Sequence, residues 1–243
     1  MSIPNSTRRP SHAMVLAAGR GERMRPITDK MPKPLIQVGG ESLIDRALDK
    51  LIEAGVEKAV VNVHHLADLL INHLSNRKRP EIIISDERLE LLDTGGGVVN
   101  ALPLLGDAPF FLMNSDTFWI EDGRSNLERM SAVFDQNKMD ALLLLVHFSK
   151  TSGLEGRRGK GFLMDSDGKL QRSPDRSPDS YIYAGAAITA RTFFAGMPQT
   201  AFPLSKLFDR SASTGRLFGT ELHGTWVHVG RPEMIPVADA LLK

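Results

Sequence analysis

The sequence predicts an α/β fold in which a mostly parallel sheet is covered by helices on both faces. Three observations carry this. Apolar segments of strand length alternate along the chain with amphipathic segments of helical period, and parallel strands need such helical crossovers. The run Ala141-Leu142-Leu143-Leu144-Leu145-Val146 has no polar interruption, as expected of a strand buried on both faces. The first apolar run, from Ala13 to Ala18, breaks directly into Gly19-Arg20-Gly21. A strand that feeds a glycine turn can present backbone N–H groups to a ligand without Cβ interference.

Taken in order, residues 13–17 form the first strand. Residues 42–54 read as a helix: Ser42 is a suitable N-cap, Leu43, Ala47, Leu48, Leu51 and Ile52 recur at helical spacing, and Gly55 is a stop. A β-branched strand over 58–63, a short helix over 66–74 and a strand over 81–85 follow. Asp93-Thr94-Gly95-Gly96-Gly97 opens a helix that runs to about residue 102. Residues 109–114 form a strand that ends at Ser115-Asp116, residues 125–137 a helix, and residues 141–147 the fully apolar strand. Residues 149–160 are a polar, glycine-rich loop whose Arg157, Arg158 and Lys160 read as solvated surface. Asp165-Ser166-Asp167-Gly168, between 162–164 and Leu170, is a hairpin signal. Residues 181–189 are a strand, 203–212 a helix, and 218–222 with 225–229 a closing pair. Pro232 suits the first position of a last helix that reaches residue 242.

The chain has 243 residues, 42% of them hydrophobic and 24% charged, which suffices for one sizeable core. No internal repeat, low-complexity block or linker interrupts it, so a single domain over 12–243 is expected. Residues 1–11 carry Pro4, Arg8, Arg9 and Pro10 but no apolar centre, and read as a floppy tail rather than a signal peptide. No apolar run approaches the roughly 18 residues of a membrane span, so no membrane partner is expected. A formal net charge of +1 lacks the basic surplus typical of a nucleic-acid binder. With no cysteine, disulfides, thiolate catalysis and Cys-based zinc sites are excluded, in keeping with a reducing cytoplasm.

The chemistry concentrates between Gly19 and Pro34. Arg20, Arg23, Arg25, Lys30 and Lys33 face only Glu22 and Asp29, a local surplus of +3. Cations around a glycine turn point to phosphate. Two familiar phosphate loops do not fit. The dinucleotide fingerprint wants a glycine or alanine where Met24 stands, and Arg25-Pro26 does not open a helix. The P-loop is absent too: Gly159-Lys160-Gly161 has the wrong leading spacing and no hydroxyl residue. What remains is Gly19, Gly21 and Arg23, with Lys33 ten residues after the arginine and set between Pro32 and Pro34. The prolines predict a pre-set, extended backbone at Lys33.

This pattern resembles the signature of the sugar-1-phosphate nucleotidylyltransferases. The flanking text LAAGRGERMRP and PKPLIQVGG is most similar to the members that uridylylate N-acetylmuramate 1-phosphate, with the short mannose- and glucose-1-phosphate members beside them. The resemblance implies a single-domain Rossmann-like three-layer α/β/α fold with a mixed, mostly parallel sheet. It also implies an enzyme that joins a nucleoside triphosphate, by resemblance UTP, to a sugar 1-phosphate with Mg²⁺, as a monomer or homodimer. On matching positions, Leu16, Ala17, Ala18, Gly19, Gly21 and Glu22 hold the nucleotide together with Thr94, Gly95 and Asn114. Arg23 is set against the leaving phosphates and Lys33 toward the reacting one. Asn114, Gly161, Tyr183 and Gly185 meet the sugar, and Asp116 holds the metal. The three glycines after Thr94 are explained, on this reading, by close approach of the base or ribose.

The chain departs from the family pattern at His228. Trp226-Val227-His228-Val229-Gly230 is similar to the family's W-x-D-V-G, whose aspartate is the second metal ligand. Imidazole is a poor Mg²⁺ ligand and suits Mn²⁺ or similar ions better. His228 therefore binds through water, shifts the metal preference, or leaves the metal to Asp116 and the phosphates. An inactive nucleotide-sugar sensor and a dinucleotide oxidoreductase are the alternatives from other classes. The first is permitted by His228, and the second is disfavoured by Met24 and Arg25-Pro26.

Overall fold

The structure, a computed structural model, describes residues 9–151, 161–173 and 179–243. Most of the expected tail and of the 149–160 loop, with Arg157, Arg158 and Lys160, lies outside the described residues. Strand β1 (His12–Leu16) leads through 3-10 turns at Glu22–Met24, Ile27–Asp29 and Lys33–Leu35 to a small hairpin, β2 (Gln37–Val38) and β3 (Glu41–Ser42). Helix α1 (Leu43–Glu53) starts on Ser42, whose hydroxyl accepts from the Asp45 N–H at 3.2 Å and donates to its carboxylate at 2.6 Å. Its inner face buries Leu43, Ile44, Ala47, Leu48 and Leu51, and the chain reverses at Gly55 with φ +91°.

The crossovers continue with β4 (Lys58–Val63), α2 (Ala67–Ser75), β5 (Glu81–Asp86), α3 (Asp93–Leu105) and β6 (Phe110–Asn114). The second half contains β7 (Thr117–Glu121), α4 (Asn126–Val133), β8 (Ala141–His147), β9 (Phe162–Met164), β10 (Leu170–Arg172) and β11 (Tyr181–Thr189). It ends with α5 (Ser205–Ser213), β12 (Leu217–Glu221), β13 (Gly224–His228) and α6 (Met234–Leu241).

Among the described residues, nine strands form one mixed sheet. β5, β4, β1 and β6 lie side by side and parallel; β11 is antiparallel to β6. β8 pairs antiparallel with β11, and β12 runs parallel to β8. Residues 186–189 of β11 pair with β6, so its first half projects past the carboxyl end of β6 toward β9. One face packs Val15, Val61, Met113 and Leu144 beneath the helices α1, α2 and α4. The other packs Met14, Val60, Leu112 and Leu143 beneath α3 and α5. Among the described residues no helix is long and apolar enough to cross a membrane.

Four expectations need correction. The segments 218–222 and 225–229 are not partners: β12 joins β8 in the main sheet, while β13 pairs with β7, a strand the sequence did not suggest. α3 continues past residue 102, because Leu105 is still buried and Pro103 falls in the last turn. α4 stops at Val133, where Phe134 turns extended and drops into the core. Lys33 is not extended. It opens a 3-10 turn with Pro34 at the second position, where a missing N–H costs no intrahelical bond, and only Pro32 before it is extended.

Candidate active site

The carboxyl ends of β1, β4 and β6 converge on a cleft of 760 Å³, where open α/β sheets bind ligands. Leu16 and Asn114 stand in register at the ends of β1 and β6, and the Ser115 hydroxyl donates to the Leu16 carbonyl at 2.7 Å. That bond locks the start of the glycine loop to the turn after β6 that carries Asp116. On the other side, the Ala17 N–H donates to the Asn62 carboxamide at 2.7 Å.

The loop is held by its own chain. Gly21 has φ +64°, and a Cβ there would stand 2.9 Å from Thr28 and 3.1 Å from the Lys33 Cβ. Gly21 thus lets the loop fold back against the lysine. The Thr28 hydroxyl donates to the Gly21 carbonyl at 2.9 Å, and His65 donates to the Thr28 carbonyl at 2.7 Å. Met24, fully buried, pins the turn into a small core with Phe118, Val227 and Val229. At Gly19 the protein leaves open the space a Cβ would fill. Arg20, Glu22 and Arg23 are exposed along the rim.

Lys33 is 9% exposed, and its ammonium donates to the Asp116 carboxylate at 2.8 Å. The Asp116 side chain is 25% exposed, at the cleft end of β6. The Val229 N–H donates to the Asp116 carbonyl at 3.1 Å, which ties β13 to the same point.

The far wall is made by Leu91, Asp93 and Thr94. Asp93 has φ +58°, a left-handed conformation that a non-glycine residue rarely adopts and that concentrates at ligand sites. Of the pair expected at the base, Thr94 lines the cleft. Gly95 lies under Phe202, whose ring carbon would be 2.2 Å from a Cβ, and its N–H is taken by the Phe202 carbonyl at 2.8 Å. A Cβ on Gly96 would stand 2.3 Å from the Thr200 carbonyl oxygen, and one on Gly97 2.7 Å from Glu87. The triple glycine is accounted for by packing within the protein.

The residues expected at the sugar divide. Gly185, at φ +100°, lies directly against Thr117 and Asn114, inside a bulge where β11 changes partner register. Tyr183 sits before that bulge, its ring edge-on to Phe208 at 5.4 Å; burial, with the Asp116 charge second, pushes its phenol pKa up. Gly161 packs against the start of β11, near the Tyr181 carbonyl. Among the described residues Asn114 lines the cleft, whereas Gly161, Tyr183 and Gly185 do not. His228 is 3% exposed, its ring parallel to Trp226 at 5.8 Å and close over Gly230, which does line the cleft. The imidazole therefore stands one layer behind the surface that a ligand would touch.

Sequence reasoning missed Asn62, Asp93 and Glu87. The signal for Asn62 was present: one carboxamide inside Val60-Val61-Asn62-Val63, a strand otherwise apolar, where a buried polar group needs hydrogen-bond partners.

Two arginines and a lysine, set among the carboxylates of Glu22, Asp93 and Asp116 around a preformed cleft, suit a protein that handles phosphate groups. The chain belongs to the nucleotidyl transferase family, whose profile matches residues 12–153. It is 41% identical over 237 residues to the N-acetylmuramate alpha-1-phosphate uridylyltransferase of Caulobacter vibrioides, covering 96% of this chain and 97% of that protein. The enzyme of the same name from Neisseria meningitidis is 30% identical, covering 94% and 97%. Among solved structures, the inositol-1-phosphate CTP transferase from T. maritima superposes with a TM-score of 0.77 at 19% identity, covering 97% and 96% of the two chains. A UDP-glucose pyrophosphorylase complexed with UDP-glucose gives 0.77 at 17%, covering 96% and 98%. At those identities the likeness is one of fold.

Proposed function

We propose that this enzyme joins UTP to N-acetylmuramate 1-phosphate, giving the UDP-sugar and pyrophosphate. The observation that carries the chemistry is the 2.8 Å pairing of Lys33 with Asp116 at the head of a cleft rimmed by Arg20 and Arg23. The identity with uridylyltransferases over nearly the whole chain supports the choice of substrates.

The physical obstacle is repulsion between anions. Two unit charges 4 Å apart oppose each other by about 4 kcal/mol at an effective dielectric near 20, and several such pairs meet in this reaction. A phosphate oxygen of the sugar 1-phosphate attacks the α-phosphorus, and the bond from that phosphorus to the oxygen bridging to the β-phosphate breaks. Pyrophosphate leaves with the electron pair. No general base is needed, because the attacking oxygen is already ionised. Lys33 neutralises the transferring phosphate, and Arg23 meets the departing pyrophosphate. The backbone at Gly19, with the space beside it open, lets the phosphates come close. Asn114, at the end of β6 with Gly185 packed against it, forms the start of the acceptor side. Catalysis is positioning and charge stabilisation without a covalent enzyme intermediate.

A hard divalent cation fits the donor chemistry of Asp116, an oxygen ligand facing the cleft. Among the described residues no group of three or more His, Asp or Glu could hold a metal by itself, so phosphate oxygens and water would complete its shell. Mg²⁺ or Mn²⁺ would supply further charge neutralisation. His228, one layer back, acts through its packing on Gly230 or through water.

The reading is tested by pyrophosphate release across UTP, GTP, CTP, ATP and dTTP, each crossed with N-acetylmuramate, mannose and glucose 1-phosphates. Turnover confined to UTP with N-acetylmuramate 1-phosphate is expected. Turnover in another combination would replace the substrates, and nucleotide binding without turnover under any divalent ion would favour a sensor.

A further inference from the structure

Glu87 is a carboxylate that the proposed chemistry leaves unused, yet it is only 3% exposed. It follows β5, where its N–H donates to the Val63 carbonyl at 2.8 Å and its carbonyl accepts from His64 at 2.7 Å. Its two carboxylate oxygens reach toward opposite walls of the cleft. Oε1 accepts from the Asn62 amide at 2.8 Å, and Asn62 in turn holds the Ala17 N–H at the root of the glycine loop. Oε2 accepts from the Leu92 N–H at 3.3 Å, between the wall residues Leu91 and Asp93.

The third glycine of α3 now has a reason. A Cβ on Gly97 would stand 2.7 Å from Glu87 Oε1 and 2.8 Å from Asn62 Nδ2. The helix backbone lies directly against this pair, and only glycine leaves it room. Burying a carboxylate is costly without partners. Burial pushes the Glu87 carboxyl pKa up, against the opposing donors from Asn62 and Leu92 and the nearby His64. An apolar side chain would fill the space at less cost, but it would tie neither wall.

We propose that Glu87 is a positioning residue that fixes the spacing between the glycine-loop wall and the 91–94 wall, and thereby the affinity for the nucleotide. This rests on the reading of the cleft as a nucleoside triphosphate site. Lys33 and Asp116 hold each other at 2.8 Å through their own side chains, so the transfer step itself is spared.

Two variants approach the tether from different sides. Glu87→Gln keeps one acceptor oxygen but turns an NH₂ toward one of the two donors. Gly97→Ala leaves both polar side chains intact and pushes the pair aside. In each, the KM for the nucleoside triphosphate is expected to rise about three- to tenfold, the scale of one lost hydrogen bond. The kcat and the KM for the sugar 1-phosphate stay near wild type, and hydrogen exchange at the Ala17 amide accelerates. Combining the variants gives less than the product of the two effects, because they break one network. Wild-type nucleotide KM and Ala17 protection in the folded variants would overturn the proposal. So would losses in kcat and both KM values that merely follow falling stability. Ala17 exchange is read without substrate, so it decides the tether even if the cleft takes a different nucleotide. A wild-type enzyme without turnover would count against the proposed reaction instead.

Discussion

The Lys33 ammonium lies 2.8 Å from the Asp116 carboxylate, joining the loop after β1 to the end of β6 across 83 positions of sequence. The pair does two things at once. It holds the lysine at the cleft, and in the proposed reaction it neutralises both charges until a phosphate offers the lysine another anion. Because the side chains are 11% and 25% exposed, neither charge could be left alone without loss.

Lys33→Ala is expected to lower kcat/KM by about a thousandfold, the scale of removing one preorganised charge-stabilising donor. The fold survives, because the lost side chain contributes charge rather than core. Circular dichroism and steady-state kinetics check this; near-wild-type turnover would remove Lys33 from the mechanism.

Asp116→Ala leaves the buried ammonium uncompensated. Breaking a fully buried pair costs roughly 3–5 kcal/mol, and partial exposure here reduces the expected loss to about 2 kcal/mol. Urea unfolding measures it. In the double variant with Lys33→Ala, part of that stability returns, since no charge is stranded. Additive losses would mean that the pair contributes nothing as a pair.

His228→Asp places a carboxylate behind Gly230. Activity with Mg²⁺ relative to Mn²⁺ is expected to rise severalfold, since carboxylate oxygen suits Mg²⁺ better than imidazole does. An unchanged metal ratio would assign His228 to packing against Trp226 and Gly230.

Glu87 gives a pH signature. Its folded carboxyl titrates above the ordinary 4.5, so between 4.5 and the folded value the native chain binds more protons than the unfolded one. The contribution of Glu87 to stability is then fully present below 4.5 and is lost as pH rises through that window. Glu87→Gln lacks the titration, so the wild type is expected to lose stability relative to it from pH 4.5 upward and then level off. Chemical unfolding across about pH 4 to 8 reads this, and a flat difference would show that folding does not perturb Glu87.

Much of the architecture was legible because local signals and tertiary context agree. The spans expected for β4, β8 and β11 match the structure, and Ser42 caps α1 as expected. What failed depended on distant partners. β7 pairs with β13 more than a hundred positions away, and nothing near Thr117 announces that Thr225 and Trp226 will lie beside Ile120 and Trp119. The glycine-loop cations were visible as a charge surplus, whereas the ion pair that organises them was visible only as two separate residues. Gly97 shows the limit most plainly. Its glycine is required by Glu87 and Asn62, two side chains that reach it only once β4 and β5 lie beneath α3.

In the proposed reaction the sugar phosphate attacks the α-phosphorus of the nucleotide directly. This step is tested most directly with N-acetylmuramate 1-phosphate carrying ¹⁸O in its phosphate, with UTP, and mass spectrometry of both products. All of the label is predicted in the UDP-sugar and none in the pyrophosphate. Label appearing in pyrophosphate, or a nucleotidylated protein in place of a labelled UDP-sugar, would contradict it.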